Sequence, residues 1–211
     1  MTLFDDTELF SVGTAPKNYI NRKDLEIMHM DGFIAKEDAD TYYNSLLNNT
    51  SWREYQMPMY DKIVTAPRMV AWYGTREGAG ENTLPWTPEL SELRSQVEKE
   101  TGLMFNAVLL NLYRNGNDSV AWHSDKEHRI GSNPNIASVT FGQTRPFKFR
   151  HKTDKDIGQV EIPLHHGTLL LMSGTTNTHW EHHIPKSAKE MLPRINLTFR
   201  QVKQGGLFNK F

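Results

Sequence analysis

The sequence predicts an α+β fold that is mainly β, in which two helices precede a series of short antiparallel strands arranged as a barrel or jelly roll. Two observations support this fold class. The strand-forming runs after Leu103 are short and separated by turn residues, and they do not alternate with helices as in a parallel βαβ sheet. The length of 211 residues suits one domain with a sizeable core.

Composition narrows the class of protein further. Hydrophobic residues make up 37% and charged residues 23% of the chain, which is typical of a soluble globular protein. No apolar run approaches the roughly 20 residues that span a bilayer, and the acidic segment Met1–Asp6 does not resemble a signal peptide. Because there is no cysteine, disulfides and thiolate metal ligands are excluded. We therefore expect an intracellular protein of a bacterial cytoplasm or a eukaryotic nucleus.

The first elements are predicted from local patterns. Residues 1–24 show little periodicity and are expected to form a loosely held arm, so that residues 25–211 make up the domain. Leu25–Met30 has the composition of a strand, and residues 35–47 have helical spacing. Residues 52–73 mix aromatic residues, methionines and prolines, which favours hairpins with an exposed apolar surface.

The second helix carries clear signals at both ends. Thr87 can cap its N-terminus, Pro88 suits its first turn, and Gly102 follows its last turn. Its apolar side recurs every three or four residues, at Leu90, Leu93 and Val97. Residues 103–203 then form the predicted β core, with strands expected at Phe105–Arg114, Ile136–Phe141, Phe147–His151, Gln159–Pro163, Thr168–Met172 and Ile195–Val202.

A histidine and an aspartate that share one side of a strand are the first candidates for a metal site. His123 and Asp125 are two residues apart, so an extended strand aims both side chains the same way. Such a pair also occurs by chance and needs a third ligand, which His179, His182 or His183 could supply. Two imidazoles and one carboxylate on one face of a metal are typical of mononuclear non-haem iron. The alternative is that these downstream histidines only line a surface loop.

Evenly spaced polar residues predict an acid-binding face nearby. On a strand, Arg194, Asn196 and Arg200 point to one side, and buried guanidinium groups require anions. Arg194 suits the far carboxylate of a dicarboxylic acid such as 2-oxoglutarate, while Arg200 suits the near carboxylate or the aspartate ligand. Asn111 and Tyr113 have the same spacing and could bind the same acid. The alternative is ordinary polar filling of a barrel.

Five segments of the chain carry a further signal when they are taken together: Asn111–Asn115, Trp122–Glu127, Ile136–Gly142, Pro163–Leu170 and Pro193–Arg200. They resemble the AlkB family of Fe(II)- and 2-oxoglutarate-dependent dealkylating dioxygenases, in the branch of the nucleic-acid repair homologues. The similarity extends in order from about Trp52 to Val202. It implies a double-stranded β-helix, or jelly roll, with flanking helices and an N-terminal nucleotide-recognition lid at residues 51–90.

The resemblance also implies roles for individual residues. It assigns the iron to His123, Asp125 and His182, the last because it follows Trp180 in the family's Trp-x-His-x-x-Pro block. The implied 2-oxoglutarate contacts are Asn111, Tyr113, Arg194, Asn196 and Arg200. The implied nucleic-acid contacts are Tyr60 on the hairpin that probes the helix stack, Arg68 on the lid strand, and Glu127 near the exocyclic amine of the damaged base.

The loop after Gly74 departs from the family pattern. Residues 75–84 contain no aromatic residue, whereas the repair homologues carry an aromatic-rich loop that stacks on the flipped base. Trp72, Tyr73 or Trp122 could replace this stacking platform. Further cations are candidates for contacts to the nucleic-acid backbone, although the strand that carries three of them could instead be half-buried with its phenylalanines inward: Arg129, Arg145, Lys148 and Lys152.

The resemblance implies oxidative dealkylation of bases such as 1-methyladenine and 3-methylcytosine in DNA, with RNA as a further substrate. Fe(II), 2-oxoglutarate and O₂ would serve as metal and co-substrates, and an aldehyde would be released. We expect a monomer that binds no membrane. The alternatives are a dioxygenase acting on a substrate other than nucleic acid and a non-catalytic jelly-roll binding module.

Overall fold

The computed structural model describes residues 15–59, 61–75, 83–125 and 130–203. Two antiparallel β-sheets, flanked by helices, make up most of this part of the chain. The strands are β1 Asn18–Arg22, β2 Leu25–Met30, β3 Arg53–Met59, β4 Lys62–Gly74, β5 Ala107–Tyr113, β6 Val120–His123, β7 Ile136–Gly142, β8 Arg145–His151, β9 Val160–Leu164, β10 Thr168–Ser173, β11 Trp180–Ile184 and β12 Arg194–Arg200. The helices are α1 Lys36–Asn49, α2 Pro88–Thr101 and the single turn α3 Thr176–His179.

The strand order shows the crossed connections of a jelly roll. The large sheet has the order β1-β2-β10-β7-β12-β5-β4-β3, and the small sheet has the order β6-β11-β8-β9. The last strand, β12, lies between β5 and β7 and pairs with both in antiparallel register. The fold class predicted from the sequence is thus confirmed.

The large sheet buries both of its faces. One face, called here the outer face, packs against α1 and α2 and is apolar on every central strand. The other, the inner face, packs against the small sheet, and the core between them includes Phe149, Ile162, Leu170 and Trp180. Because side chains alternate along a strand, each central strand contributes every second residue to the space between the sheets.

The second helix begins and ends as the sequence predicts. The Thr87 hydroxyl accepts a hydrogen bond from the Leu90 amide at 3.2 Å, and Gly102 adopts the left-handed conformation with φ of 71°. The side chains of Leu90, Leu93 and Val97 are at most 1% exposed. The helix therefore lies with its apolar stripe on the outer face of the sheet.

The hairpin of β3 and β4 extends beyond its neighbours. β4 is 13 residues long, and only its second half pairs with β5. Near the hairpin's free end the side chain of Ile63 is 74% exposed and that of Val64 39% exposed. This confirms the predicted hairpin with an exposed apolar surface.

Three local predictions differ from the structure. Residues 18–22 of the predicted arm form strand β1, since each of them pairs with a residue of β2. Residues 1–14 lie outside the described residues. The histidines after Thr178 do not line a loop, since His179 ends α3 and the other two lie on β11, which pairs with β6 and β8. β6 ends at His123, so Asp125 lies beyond the strand rather than on it.

None of the described helices is long and apolar enough to cross a membrane.

Candidate metal centre

Pairing of β6 with β11 brings two histidines side by side. His123 lies directly opposite His182 in the antiparallel register, and their ring centroids are 4.4 Å apart. The carboxylate of Asp125 completes the group, in which one potential ligand atom of each residue lies within 4.8 Å of the others. Two imidazoles and one carboxylate in this arrangement could hold a divalent metal and leave coordination positions open.

Both histidines are held in the neutral form that a metal requires. Burial, and to a smaller extent the neighbouring His123, lower the pKa of His182 to about 3 against the opposing effect of Asp125. Burial also lowers the pKa of His123, as do the cations Arg68 and Arg200. The Nδ1 atom of His123 lies 2.9 Å from the Ala121 carbonyl, so it carries the proton and leaves the Nε2 lone pair free.

The carboxylate of Asp125 is held by a guanidinium group. Burial would raise its pKa, but Arg200, His182 and His123 outweigh that effect and keep the pKa below its usual value. Arg200 donates to both carboxylate oxygens, from Nη2 at 3.0 Å to each and from Nε at 3.2 Å to Oδ2. Of its two predicted roles, Arg200 thus takes that of partner to the aspartate.

A second buried guanidinium group lies deeper between the sheets. Arg194 is 1% exposed, and its Nη2 donates to Thr140 at 3.0 Å and to Asn196 at 2.8 Å. Its Nε and Nη1 atoms are buried without a hydrogen-bond partner. Burial lowers the pKa of Arg194 to about 10, so the group remains charged at neutral pH. A buried cation with two unmet donors fits the carboxylate of a bound acid.

The remaining polar side chains of the inner face lie around Arg194. Tyr113 is opposite it on β5, with its ring centroid 5.2 Å from the guanidinium carbon. The amide oxygen of Asn196 accepts from the hydroxyls of Ser138 at 2.9 Å and Thr140 at 3.0 Å. These two hydroxyl residues were not singled out from the sequence, although their even spacing within the apolar strand β7 was a visible signal. The inner face therefore carries a continuous polar strip across β5, β12 and β7.

Comparison with known proteins agrees with this geometry. The model of the 2OG-Fe(II) oxygenase superfamily matches residues 26–200. The chain is 41% identical to the alpha-ketoglutarate-dependent dioxygenase alkB homolog 3 of Bos taurus, over 81% of this chain and 64% of that protein. It is 39% identical to the DNA oxidative demethylase ALKBH2 of Homo sapiens, over 80% of this chain and 70% of that protein. The chain belongs to the AlkB family of this superfamily.

The fold of a distant member is also shared. The solved structure of OsALKBH1 superposes with a TM-score of 0.64 at 16% identity and covers 88% of this chain and 100% of that chain. Membership implies Fe(II), 2-oxoglutarate and O₂ as metal and co-substrates. The polar strip fits 2-oxoglutarate, because the buried guanidinium of Arg194 has unmet donors for a carboxylate.

Within this AlkB-family fold, the predicted lid residues separate by strand face. Arg68 lies on the inner side, since its Nε donates to the Asn111 amide oxygen at 2.9 Å. Trp72 lies on the same side, with the guanidinium carbon of Arg200 5.7 Å from its ring centroid. Tyr73 does not lie in the pocket: it is 5% exposed and belongs to the core under the helices.

Trp122 is also placed away from the site. It precedes His123 on β6 and therefore points to the opposite face, where it stacks on His183 with ring centroids 3.8 Å apart. The guanidinium carbon of Arg150 lies 4.4 Å from its ring centroid. Trp122 is thus not a stacking platform next to the metal ligands. The predicted contacts Tyr60, Glu127 and Arg129 lie outside the described residues.

The basic strand β8 corrects a further prediction. Phe147 and Phe149 point inward, as in the second interpretation of this strand, but Arg145 points inward with them and is 1% exposed. Its guanidinium donates to the carbonyls of three loop residues, Asn115 at 3.2 Å, Asp118 at 3.0 Å and Pro185 at 2.6 Å. Arg145 therefore joins loops and is not available to a nucleic-acid backbone. On the other face, Lys148 forms an ion pair with Glu161 at 2.8 Å.

A second group of potential ligands lies at the far end of β8. Asp24, His151 and His179 also place ligand atoms within 4.8 Å of one another. However, Nδ1 of His151 accepts the Asp154 amide at 2.9 Å, so the proton of the neutral ring is on Nε2, which faces Asp24 at 3.4 Å. Without a free Nε2 lone pair His151 is not placed to bind a metal, and the neutral ring instead donates a hydrogen bond to Asp24.

Proposed function

We propose that this protein is an Fe(II)- and 2-oxoglutarate-dependent dioxygenase that removes alkyl groups from N-alkylated bases of nucleic acid. One observation carries the proposal: Arg194, buried on the inner face with two unmet donors, occurs together with a neutral two-histidine, one-carboxylate group whose two histidines lie on the small sheet. In this proposal His123, Asp125 and His182 are the metal ligands. The proposed co-substrate contacts are Asn111, Tyr113, Arg194, Asn196 and Arg200.

Each residue has a physical task in this reaction. Arg194 binds the far carboxylate of 2-oxoglutarate, and the polar strip orients it, since Asn196 is itself held by Ser138 and Thr140. Arg200 keeps Asp125 ionised and oriented. When bound, iron and 2-oxoglutarate together activate O₂, so that the alkyl carbon is hydroxylated and leaves as an aldehyde. The apolar core between the sheets limits access of water to this space.

The substrate class rests on the relatives and on the lid. Both homologues with about 40% identity are named as alkB-type enzymes, and one of them as a DNA oxidative demethylase. Arg68 and Trp72 lie half-buried on the inner side of β4, where a cation and an indole ring can contact phosphate and base. Tyr60 and Glu127 stay proposed contacts. The proposed substrates are 1-methyladenine and 3-methylcytosine in DNA, and also in RNA.

The chain spans 64% of the length of the alkB homolog 3 proteins it matches, and its activity as a whole protein is part of the proposal. We also propose that the protein acts as a monomer. The proposed location is a bacterial cytoplasm or a eukaryotic nucleus.

Release of succinate and formaldehyde tests the proposal. The purified protein with Fe(II), 2-oxoglutarate and O₂ is given 3-methylcytosine or 1-methyladenine in single- and double-stranded DNA and in RNA. We expect formaldehyde in equal amount to the methyl groups lost, and no turnover by His182→Ala. If 2-oxoglutarate is consumed but no methylated DNA or RNA stimulates succinate release, the protein is a dioxygenase for another substrate.

A further inference from the structure

Asp125 lacks the strand partner that its neighbour His123 has. β6 ends at His123, so the main-chain N–H and C=O of Asp125 have no place in the sheet ladder. Both groups nevertheless bond to one side chain. The Asp125 amide donates to Oδ1 of Asn177 at 2.8 Å, and Nδ2 of Asn177 donates to the Asp125 carbonyl at 3.0 Å. The amide of Asn177 thus replaces a neighbouring strand.

Asn177 is itself held firmly. It lies in the short helix α3 and is 2% exposed. The preceding Thr176 is joined to β2, since its hydroxyl accepts from the Glu26 amide at 2.8 Å and donates to the Glu26 carbonyl at 3.2 Å. The ammonium group of Lys152 donates to the carbonyls of Asn177 at 3.0 Å and Thr178 at 2.6 Å. The clamp on Asp125 is therefore tied to both sheets.

We infer that Asn177 is a positioning residue for the metal site, which it completes by fixing the main chain of Asp125 while Arg200 fixes the carboxylate. The inference rests on the proposed assignment of Asp125 as a metal ligand. Because its main chain and its carboxylate are both held, Asp125 has its oxygens in position before the metal binds. Metal binding then does not have to order this loop. A second link, from the Ser124 hydroxyl to the Trp180 carbonyl at 2.9 Å, holds the same loop to β11.

The chemistry of the clamp requires a side-chain amide. Only an amide offers an acceptor and a donor side by side, to match the N–H and C=O of one residue. In Asn177→Asp the volume is kept, but a carboxylate oxygen would face the Asp125 carbonyl without a proton to share. In Asn177→Ala both main-chain groups of Asp125 lose their partner.

Metal affinity in the absence of nucleic acid tests the inference. Co(II) is titrated into the metal-free wild-type protein, Asn177→Asp and Asn177→Ala, and its visible absorption gives Kd and reports the ligand geometry. Thr178→Ala is the matched control, because it removes a hydrogen bond of the same helix, to Asn133 at 3.1 Å, that does not reach Asp125. We expect Kd to rise about 10- to 100-fold for both Asn177 variants and to stay unchanged in the control.

Thermal unfolding of the metal-free proteins separates positioning from general stability. The inference is supported if Asn177→Asp unfolds close to the wild-type temperature yet gains less stability from Co(II). An unchanged Kd, an equal loss in Thr178→Ala, or failure of both Asn177 variants to fold overturns it. If the proposed function fails instead, the wild type still binds Co(II) but acts on no methylated nucleic acid. If the metal assignment fails, Co(II) binding survives His182→Ala.

Discussion

At the scale of single residues, Arg194 is the most informative side chain of the inner face. A guanidinium group buried without a carboxylate is costly, since each unmet buried donor costs about 1–3 kcal/mol. Two of its nitrogens, Nε and Nη1, are in this state. A bound acid would supply an acceptor to a donor in this state, so part of that cost is recovered on binding. Affinity for the acid should therefore depend steeply on this one side chain.

We predict that Arg194→Lys raises the KM for 2-oxoglutarate by about 10- to 100-fold, since an ammonium group cannot make the paired, charge-assisted hydrogen bonds of a guanidinium. Succinate formation at varied 2-oxoglutarate measures it. Arg150→Lys is the control, because Arg150 forms its ion pair with Glu181 on the opposite face of the small sheet. An unchanged KM in Arg194→Lys would place the acid elsewhere.

The two groups of potential metal ligands make opposite predictions. His182→Ala should abolish binding of Co(II), whereas His179→Ala and His151→Ala should leave one equivalent bound per chain, because the proton on Nε2 of His151 blocks the second group. Equilibrium dialysis with metal analysis gives the stoichiometry. Two equivalents in the wild type, or a loss in His179→Ala, would contradict this assignment.

At the scale of elements, strand alternation decides which aromatic residue meets the substrate. Trp72 on β4 lies on the inner side beside Arg200, while its neighbour Tyr73 is in the core under the helices. On β6, His123 points inward and Trp122 outward. Neighbouring residues on one strand point to opposite faces, so this alternation decides among Trp72, Tyr73 and Trp122, which the sequence left as equal candidates.

We predict that Trp72→Ala lowers kcat/KM for a methylated oligonucleotide about 10-fold or more, because loss of a stacking surface costs about 1–3 kcal/mol per base. Trp122→Ala, which removes an aromatic ring from the other face, serves as control and should lower the unfolding temperature while leaving KM for the oligonucleotide unchanged. Equal effects of the two substitutions on KM would mean that the indole of Trp72 is not in the pocket.

Elements with local signals were predictable from the sequence, and those that depend on distant pairing were not. The ends of α2 follow from Thr87, Pro88 and Gly102 alone, and the shared face of Arg194, Asn196 and Arg200 follows from even spacing on one strand. The pairing of β6 with β11 joins residues about 60 positions apart, which no local pattern specifies. A charge pattern also cannot show that the Arg145 guanidinium donates to main-chain carbonyls, because those carbonyls belong to loops distant in sequence.

At the scale of the whole molecule, the buried His182 makes stability depend on pH. The pKa of His182 is about 3 in the folded chain and 6.5 in its unperturbed state, mainly because of burial. Between these values the unfolded chain binds more protons than the folded chain, so acidification favours unfolding. The contribution of neutral His182 to stability is therefore complete above about pH 6.5 and is lost progressively as the pH falls toward 3.

We predict that the unfolding temperature of the metal-free protein falls when the pH is lowered from about 7.5 to about 5.5, and that it falls less in His182→Gln, whose amide does not titrate in this range. Calorimetry in the presence of a chelator measures both. The same pH dependence in the variant and the wild type would show that other groups cause the effect.

The proposed co-substrate residue Arg194 and the two histidine ligands lie on different sheets, and this affects how the sheets move relative to each other. The proposed co-substrate is gripped at one end by Arg194 of the large sheet, and the proposed metal sits on His123 and His182 of the small sheet. A dicarboxylate bound to Arg194 and to the metal would link the two sheets non-covalently. Amide hydrogen exchange should then slow in β5, β7 and β12 together with β6 and β11 once metal and acid are both bound. Transient separation of the two sheets would be rarer with metal and acid bound than without them.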